Sequence, residues 1–355
     1  MKKVSVVIMN WNAEHLLRQF LPGVIAHSTL PHDVGEVEVV VADNGSTDGS
    51  EGYVFSLIGD NPSLRWLPLG MNHGFAEGYN QALLQVDTEY VVLLNDDVEV
   101  TPHWLDPLVT FMDAHPEVAV CQPKLLSQRQ RDTFEYAGAC GGYLDRYGYP
   151  FCRGRLFDTI ESDHGQYDQP AHLLWASGAC LLIRQHDYHE AGGLDGRFFA
   201  HMEEVDLCWR LRLYGRDIVC IPASTVYHVG GASLAAGSPR KTFLNFRNNL
   251  LMLYKNLPDN ELHRVLAVRS LFDLLAAFVF LFKGERGNYK AVFQARREFR
   301  TMKAEYRLLR QSVREKAAIC GNPTLHVNER RPLCLLWQYH VRRRHTYAAL
   351  PVQKD

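Results

Sequence analysis

The sequence predicts an α/β fold: a Rossmann-like, mostly parallel central sheet followed by a C-terminal helical extension. Three observations carry that expectation. Short β-branched runs alternate with helix-periodic stretches from the N-terminus onward. Polar residues cluster where those runs end, as they do at the carboxyl edge of an open parallel sheet. From Phe243 onward the pattern is almost wholly helical.

Residues 4–9 and 37–42 are apolar runs bounded by turn residues, and Leu16, Leu17, Phe20 and Leu21 between them have helical spacing. This is a βαβ opening, which demands parallel strands. Strands are expected next at 64–67 and 90–94, with a helix over 76–86. Residues 124–172 lose the rhythm and fill with Gly, Tyr, Arg and Asp, which reads as long loops over a site. Further strands are expected at 173–183 and 217–221, flanking a helix over about 204–214. Residues 1–250 thus form the predicted main domain and 251–355 a helical, basic extension.

The 355 residues are 46% hydrophobic and 22% charged, enough for a sizeable core. The formal net charge of -2 conceals an asymmetry: residues 1–282 carry -13 and residues 283–355 carry +11. An acidic body argues against nucleic-acid binding, and a basic tail suggests an acidic partner such as a membrane surface. The alternative for the tail is a helical cap on the main domain or a homodimer contact. Eight cysteines without a CxxC pair suit a reduced, cytoplasmic compartment. Only six residues, Val4 to Met9, lie between the basic start and Asn10, too few for a signal-peptide core. The apolar run 271–282 contains Asp273 and looks too short to span a bilayer, which suggests a buried or interfacial helix.

The first strand ends in Asn10-Trp11-Asn12, so the Gly-x-Gly-x-x-Gly cradle of a nicotinamide enzyme is missing. The second ends in Asp43-Asn44-Gly45-Ser46-Thr47-Asp48, either an Asx turn with a helix cap or a carboxylate presented at the sheet edge. Asn72-His73-Gly74-Phe75 opens a helix that carries Asn80, and its free N–H groups suit an anion or a sugar hydroxyl. Asn95-Asp96-Asp97 sets two carboxylates side by side after a buried strand, a repulsion that Mg²⁺ or Mn²⁺ would relieve. Glu203-Glu204 starts a helix, where acids favour the dipole or supply a general base. His228, in Tyr227-His228-Val229-Gly230-Gly231-Ala232-Ser233, is either structural or a metal ligand.

In this order and spacing the motifs resemble the family 2 glycosyltransferases of GT-A fold. The similarity runs over roughly residues 3–250 and rests on Asn-x-Asn, Val-Ala-Asp-Asn-Gly-Ser-Thr-Asp-Gly-Ser, Asn-x-Gly-Phe-Ala-x-Gly-x-Asn, Asn-Asp-Asp, Glu-Glu-Val-Asp-Leu-Cys-Trp-Arg and His-x-Gly-Gly. Its flavour is that of the bacterial rhamnosyltransferase-like subgroup that builds surface polysaccharides. The resemblance implies an inverting transfer from a nucleoside-diphosphate sugar, dTDP-rhamnose or a UDP-sugar, to a glycan or lipid-linked glycan. The site would be cytoplasmic or peripheral at the inner face of the membrane.

By the same resemblance Asp43 accepts from the pyrimidine N–H beside Asn10 and Asn12, while Asn72, Gly74 and Asn80 line the donor. Asn95 and Asp97 stand at the ends of the family's Asp-x-Asp motif. Asp97 would then hold the divalent cation, with His228 as an extra ligand and Asp96 on ribose or metal. Glu204 takes the position of the catalytic base, with Glu203 the second candidate. Two competing readings are a sugar-phosphate nucleotidyltransferase, which wants a basic Gly-rich loop after the first strand, and a non-catalytic nucleotide-sugar binding protein, which has no need of Asp97, Glu204 and His228 together.

Overall fold

The computed structural model describes residues 2–230 and 237–351. Strand β1 (Lys2–Asn10) lies between two parallel neighbours, which is why Val4, Val6, Val7 and Ile8 are all buried rather than alternating. Helix α1 (Glu14–His27) covers one face with Leu16, Leu17, Phe20, Leu21 and Val24. There follow β2 (Glu36–Asp43), α2 (Ser50–Ile58), β3 (Leu64–Pro68), α3 (Gly74–Leu83) and β4 (Tyr90–Asn95). The parallel register pairs Asn10 with Asp43 and Met9 with Asn95, so three strands release their polar residues at one edge.

Beyond this half the chain departs from a parallel sheet. After β5 (Val98–Val100), α4 (Leu105–Ala114) and β6 (Val118–Ser127), residues expected to be loops form a second, small sheet. Its strands are β7 (Gly142–Asp145), β8 (Pro150–Cys152), β9 (Arg155–Leu156) and β10 (Thr159–Ile160). Strands of two to four residues give no readable alternation, yet they bury Tyr143, Phe151 and Leu156. The main sheet resumes with β11 (Ala171–His172) and β12 (Cys180–Arg184), then α5 (Gln185–Glu190), α6 (Glu203–Leu213) and β13 (Asp217–His228). Only the end of the expected strand 173–183 pairs in the main sheet, because Trp175 instead packs over Gly142 and donates to the Tyr143 carbonyl at 3.0 Å. Strand β13 runs past 221 to His228 across an irregularity that accommodates Pro222.

The nine-stranded sheet has the order β11-β13-β6-β12-β4-β1-β2-β3, with β5 on β13. It is mixed, since β12 is antiparallel to β4 and β6 while β13 is parallel to β6. Three helices follow: α7 (Pro239–Asn256), α8 (Asp259–Phe282) and α9 (Arg286–Ile319). Residue 250 falls inside α7, and charge explains how deeply the end of that helix is set: the buried Lys255 Nζ lies 2.8 Å from Asp195 and 2.7 Å from Asp206 of α6. The last strand, β14 (Arg330–Arg331), returns to the small sheet beside β7. The run 271–282 is the second half of a 24-residue helix, long and apolar enough by length and composition to cross a membrane, which corrects the expectation of a short apolar segment.

Candidate active site

At the exit of β1 the buried Asn10 donates from Nδ2 to Asp43 Oδ1 at 2.9 Å and to Ser46 Oγ at 3.0 Å. The Ser46 N–H donates to Asp43 Oδ2 at 3.1 Å. Asn12, with φ of 52°, donates from its backbone to Ser46 Oγ and accepts from the Thr47 N–H at 2.7 Å. Asp43 is thereby fixed in rotamer while keeping spare acceptor capacity on its carboxylate.

Asn44 joins this loop to the next. Its amide donates to the Gly74 carbonyl at 3.0 Å, and its Oδ1 accepts from the His73 N–H at 2.9 Å. Asn72 Oδ1 accepts from the Gly74 N–H at 2.8 Å, which shapes the entry to α3. Gly74 has φ of 80°, and a Cβ there would stand 2.5 Å from the Phe199 ring.

At the exit of β4, pairing of β5 with the end of β13 brings together His228 and Asp97, which are far apart in the chain and adjacent in space. His228 Nε2 lies 3.0 Å from Asp97 Oδ1, and Nδ1 lies 3.2 Å from Glu135 Oε1. Asn95 reaches the same imidazole at 3.5 Å. Burial opposes the imidazolium, but hydrogen bonds to Asp97 and Glu135 raise its pKa to about 10. Asp96 is pushed up to about 7, first by burial and then by the neighbouring Asp97. The Gly230 N–H donates to Asp97 Oδ2 at 3.1 Å; Gly231, Ala232 and Ser233 lie outside the described residues.

The third group is Glu203-Glu204 at the start of α6. The loop before it is strained: Phe199, His201 and Met202 have φ of 66°, 71° and 72°. The Phe199 carbonyl accepts from the Phe75 and Ala76 N–H groups, so the starts of α3 and α6 are joined. A Cβ at Gly178 would lie in van der Waals contact with Phe75 and Glu204, and the next carbonyl, of Ala179, accepts from the Asn95 N–H at 2.9 Å. Glu204 therefore stands beside the end of β4. One oxygen of each glutamate is shielded without a hydrogen-bond partner. Burial pushes Glu204 up to about 7, while burial and the Glu204 charge hold Glu203 well above the usual carboxylate range.

One expected site residue belongs elsewhere. Asn80 donates to Glu77 and the Leu194 carbonyl, and accepts from the Tyr188 hydroxyl at 2.6 Å and the Leu194 N–H. Its capacity is spent on holding the 188–194 corner, which corrects its assignment to the donor. Sequence reading missed Asn44, which was read only as part of a turn, and Glu135, which sits in the stretch taken for loops.

Residues 5–161 match glycosyl transferase family 2. The chain carries a family 2 glycosyltransferase domain. Among curated relatives, the transferase is 30% identical over 237 residues to the O-antigen biosynthesis protein RfbC of Myxococcus xanthus, covering 66% of this chain but 18% of that protein. It is 28% identical over 243 residues to the N-acetylglucosaminyl-diphospho-decaprenol L-rhamnosyltransferase of Mycobacterium tuberculosis, covering 63% of this chain and 75% of that protein. In fold it is similar to Staphylococcus aureus TarS 1-349 in complex with UDP-GlcNAc, with a TM-score of 0.56 at 17% identity over 91% of this chain and 89% of the other. It is also similar to the mannosyltransferase PcManGT of Pyrobaculum calidifontis in complex with GDP-Man and Mn²⁺, with a TM-score of 0.51 at 15% identity over 90% of this chain and 86% of the other. The fold is GT-A, and the transferase is rhamnosyltransferase-like in sequence.

Among the described residues no group of three or more His, Cys, Asp and Glu side chains is arranged to hold a metal ion by itself. The donor set of the transferase nevertheless fits Mg²⁺ or Mn²⁺, because such ions take one or two carboxylates and complete their shell with phosphate oxygens and water. Asp97 and His228 converge at 3.0 Å, and Glu135 lies 3.2 Å behind Nδ1, where metal-ligating histidines have an orienting carboxylate. His228, an imidazolium between the two carboxylates, would have to give up its proton to become a ligand.

Proposed function

We propose that this transferase moves a sugar from a nucleoside-diphosphate sugar, dTDP-rhamnose or a UDP-sugar, to a hydroxyl of a glycan or lipid-linked glycan, with inversion and with Mg²⁺ or Mn²⁺. The names of its relatives support the class of donor and acceptor. The observation that carries the mechanism is Glu204, a sheltered carboxylate with an unpartnered oxygen at the start of α6, beside the end of β4.

Asp43, locked by Asn10 and Ser46, accepts the pyrimidine N–H, and the Asn72–Gly74 turn faces the donor with its fixed backbone. Asp97, with Asp96 beside it and His228 once its proton has left, would hold the cation, which supplies Lewis-acid neutralisation of charge on the leaving diphosphate. Glu204 removes the proton from the attacking hydroxyl, and its pKa of about 7 places it in the effective range for a base at neutral pH. Glu203, whose carboxyl is also held well above its usual range by burial and the Glu204 charge, is the second candidate. One base without a protein nucleophile gives direct displacement and therefore inversion.

A panel of nucleotide sugars, assayed for transfer with Mg²⁺ or Mn²⁺, tests this reading. Glu204→Gln should lose transfer by about 10²–10⁴-fold while nucleotide binding persists. Full turnover in that variant would remove Glu204 from the base role.

A further inference from the structure

Helix α8 has two unlike faces. Leu262, Val265, Arg269, Asp273 and Ala277 are buried, and Asp273 pairs with Arg269 at 3.2 Å and with Arg296 of α9 at 2.5 Å. The opposite face is bare: Leu271, Leu275, Phe278 and Phe282 are 57%, 53%, 48% and 87% exposed. Their spacing of four, three and four makes one continuous stripe. Only 22% of the most apolar stretch of the helix is buried. A stripe this long on a water-soluble surface marks an interaction site.

Arg264 lies one heptad before Leu271 on the same face. It lines a cavity of about 760 Å³ together with Arg146, His326 and Arg330, against the carboxylate of Glu261. The hydrogen bond from Arg330, and then the charges of Arg330, Arg264 and Arg146, hold Glu261 below the usual carboxylate range. Three guanidinium groups acting on one carboxylate leave an excess of positive charge beside an apolar stripe.

We propose that this face docks on an anionic lipid bilayer, with the α8 stripe at the headgroup–acyl boundary and a lipid phosphate in the arginine-lined cavity. Charge complementarity decides the occupant. A second copy meeting stripe to stripe would bring two such arginine-lined cavities toward each other. Anionic headgroups neutralise the same charge. The helix lies on the bilayer rather than crossing it, because crossing would tear Asp273 from its buried arginine partners. The proposal is independent of the catalytic assignments.

The full chain is spun with vesicles of phosphatidylcholine alone or mixed with phosphatidylglycerol. It should pellet with the mixed vesicles, less so at high salt. Arg264→Ala should weaken that partition about fivefold, and Leu275→Ser/Phe278→Ser should abolish it, both with an unchanged melting temperature. Wild-type protein that stays in the supernatant, or a double variant that pellets equally, would overturn the proposal. So would a dimer in solution that the double variant dissociates.

Discussion

The side-chain amide of Asn248, fully buried on α7, lies 2.8 Å from the His201 carbonyl oxygen. The same nitrogen donates to the Phe198 and Ala200 carbonyls at 3.0 Å each. A residue from the helical C-terminal region thus grips the loop that delivers Glu204, in which three non-glycine residues hold positive φ at a cost of roughly 1–3 kcal/mol each. Asn248→Ala should therefore free the loop. We expect kcat to fall by up to about a hundredfold from misplacement of the base, with a smaller change in the donor KM. Asn248→Asp, which sets a carboxylate against three carbonyls, should be worse. Unchanged kcat alongside a lowered melting temperature would make Asn248 structural only.

The pH profile follows from Glu204. A base must be unprotonated, so kcat should rise with pH through about 7 and level off above it. Stability runs the other way. The folded carboxyl binds its proton more tightly than the unfolded one, with its ordinary value of 4.5, so folding stability from this group is present below 4.5 and is lost as pH rises through about 7. Glu204→Gln should remove that slope. A melting temperature with the same pH dependence in both proteins would contradict the assignment.

These two predictions rest on features of different legibility. The parallel half of the sheet was readable because β1, β2 and β4 are buried on both faces and write continuous apolar runs. Asp43, Asp97 and Glu204 stand out in the sequence as candidates because each ends or follows a strand or opens a helix. The antiparallel half was not, since β7 to β10 are too short to show a period and Trp175 leaves its expected strand to pack on Gly142. Asn248 sits within Arg-Asn-Asn in a helix that reads as amphipathic, and its partners are backbone carbonyls that carry no side-chain signal. Asn80 misled for the opposite reason: it sits within the motif, but tertiary contacts with Tyr188 and Leu194 claim it.

His228 is held between Asp97 and Glu135, all three at most 5% exposed. His228→Ala removes the imidazolium from between two buried carboxylates, and such a loss typically costs about 3–5 kcal/mol. Thermal unfolding should show that drop. In wild-type protein, UDP with Mn²⁺ should raise stability by about 2.7 kcal/mol at a hundred times the Kd, and Asp97→Asn should lose the Mn²⁺-dependent part. An Asp97→Asn protein that responds fully to Mn²⁺ would move the cation elsewhere.

Gly74 tests the contact between the donor turn and the Glu204 loop. Its φ of 80° disfavours any side chain, and a Cβ would stand 2.5 Å from Cδ2 of Phe199. Gly74→Ala therefore carries two separable penalties: backbone strain, and a clash that displaces Phe199, whose carbonyl accepts from Phe75 and Ala76. Together they should cost roughly 1–3 kcal/mol and raise the donor KM. Adding Phe199→Ala removes the clash but not the strain, so the double variant should recover part of the stability lost by Gly74→Ala. Strict additivity of the two substitutions would show that the ring and the turn are not coupled.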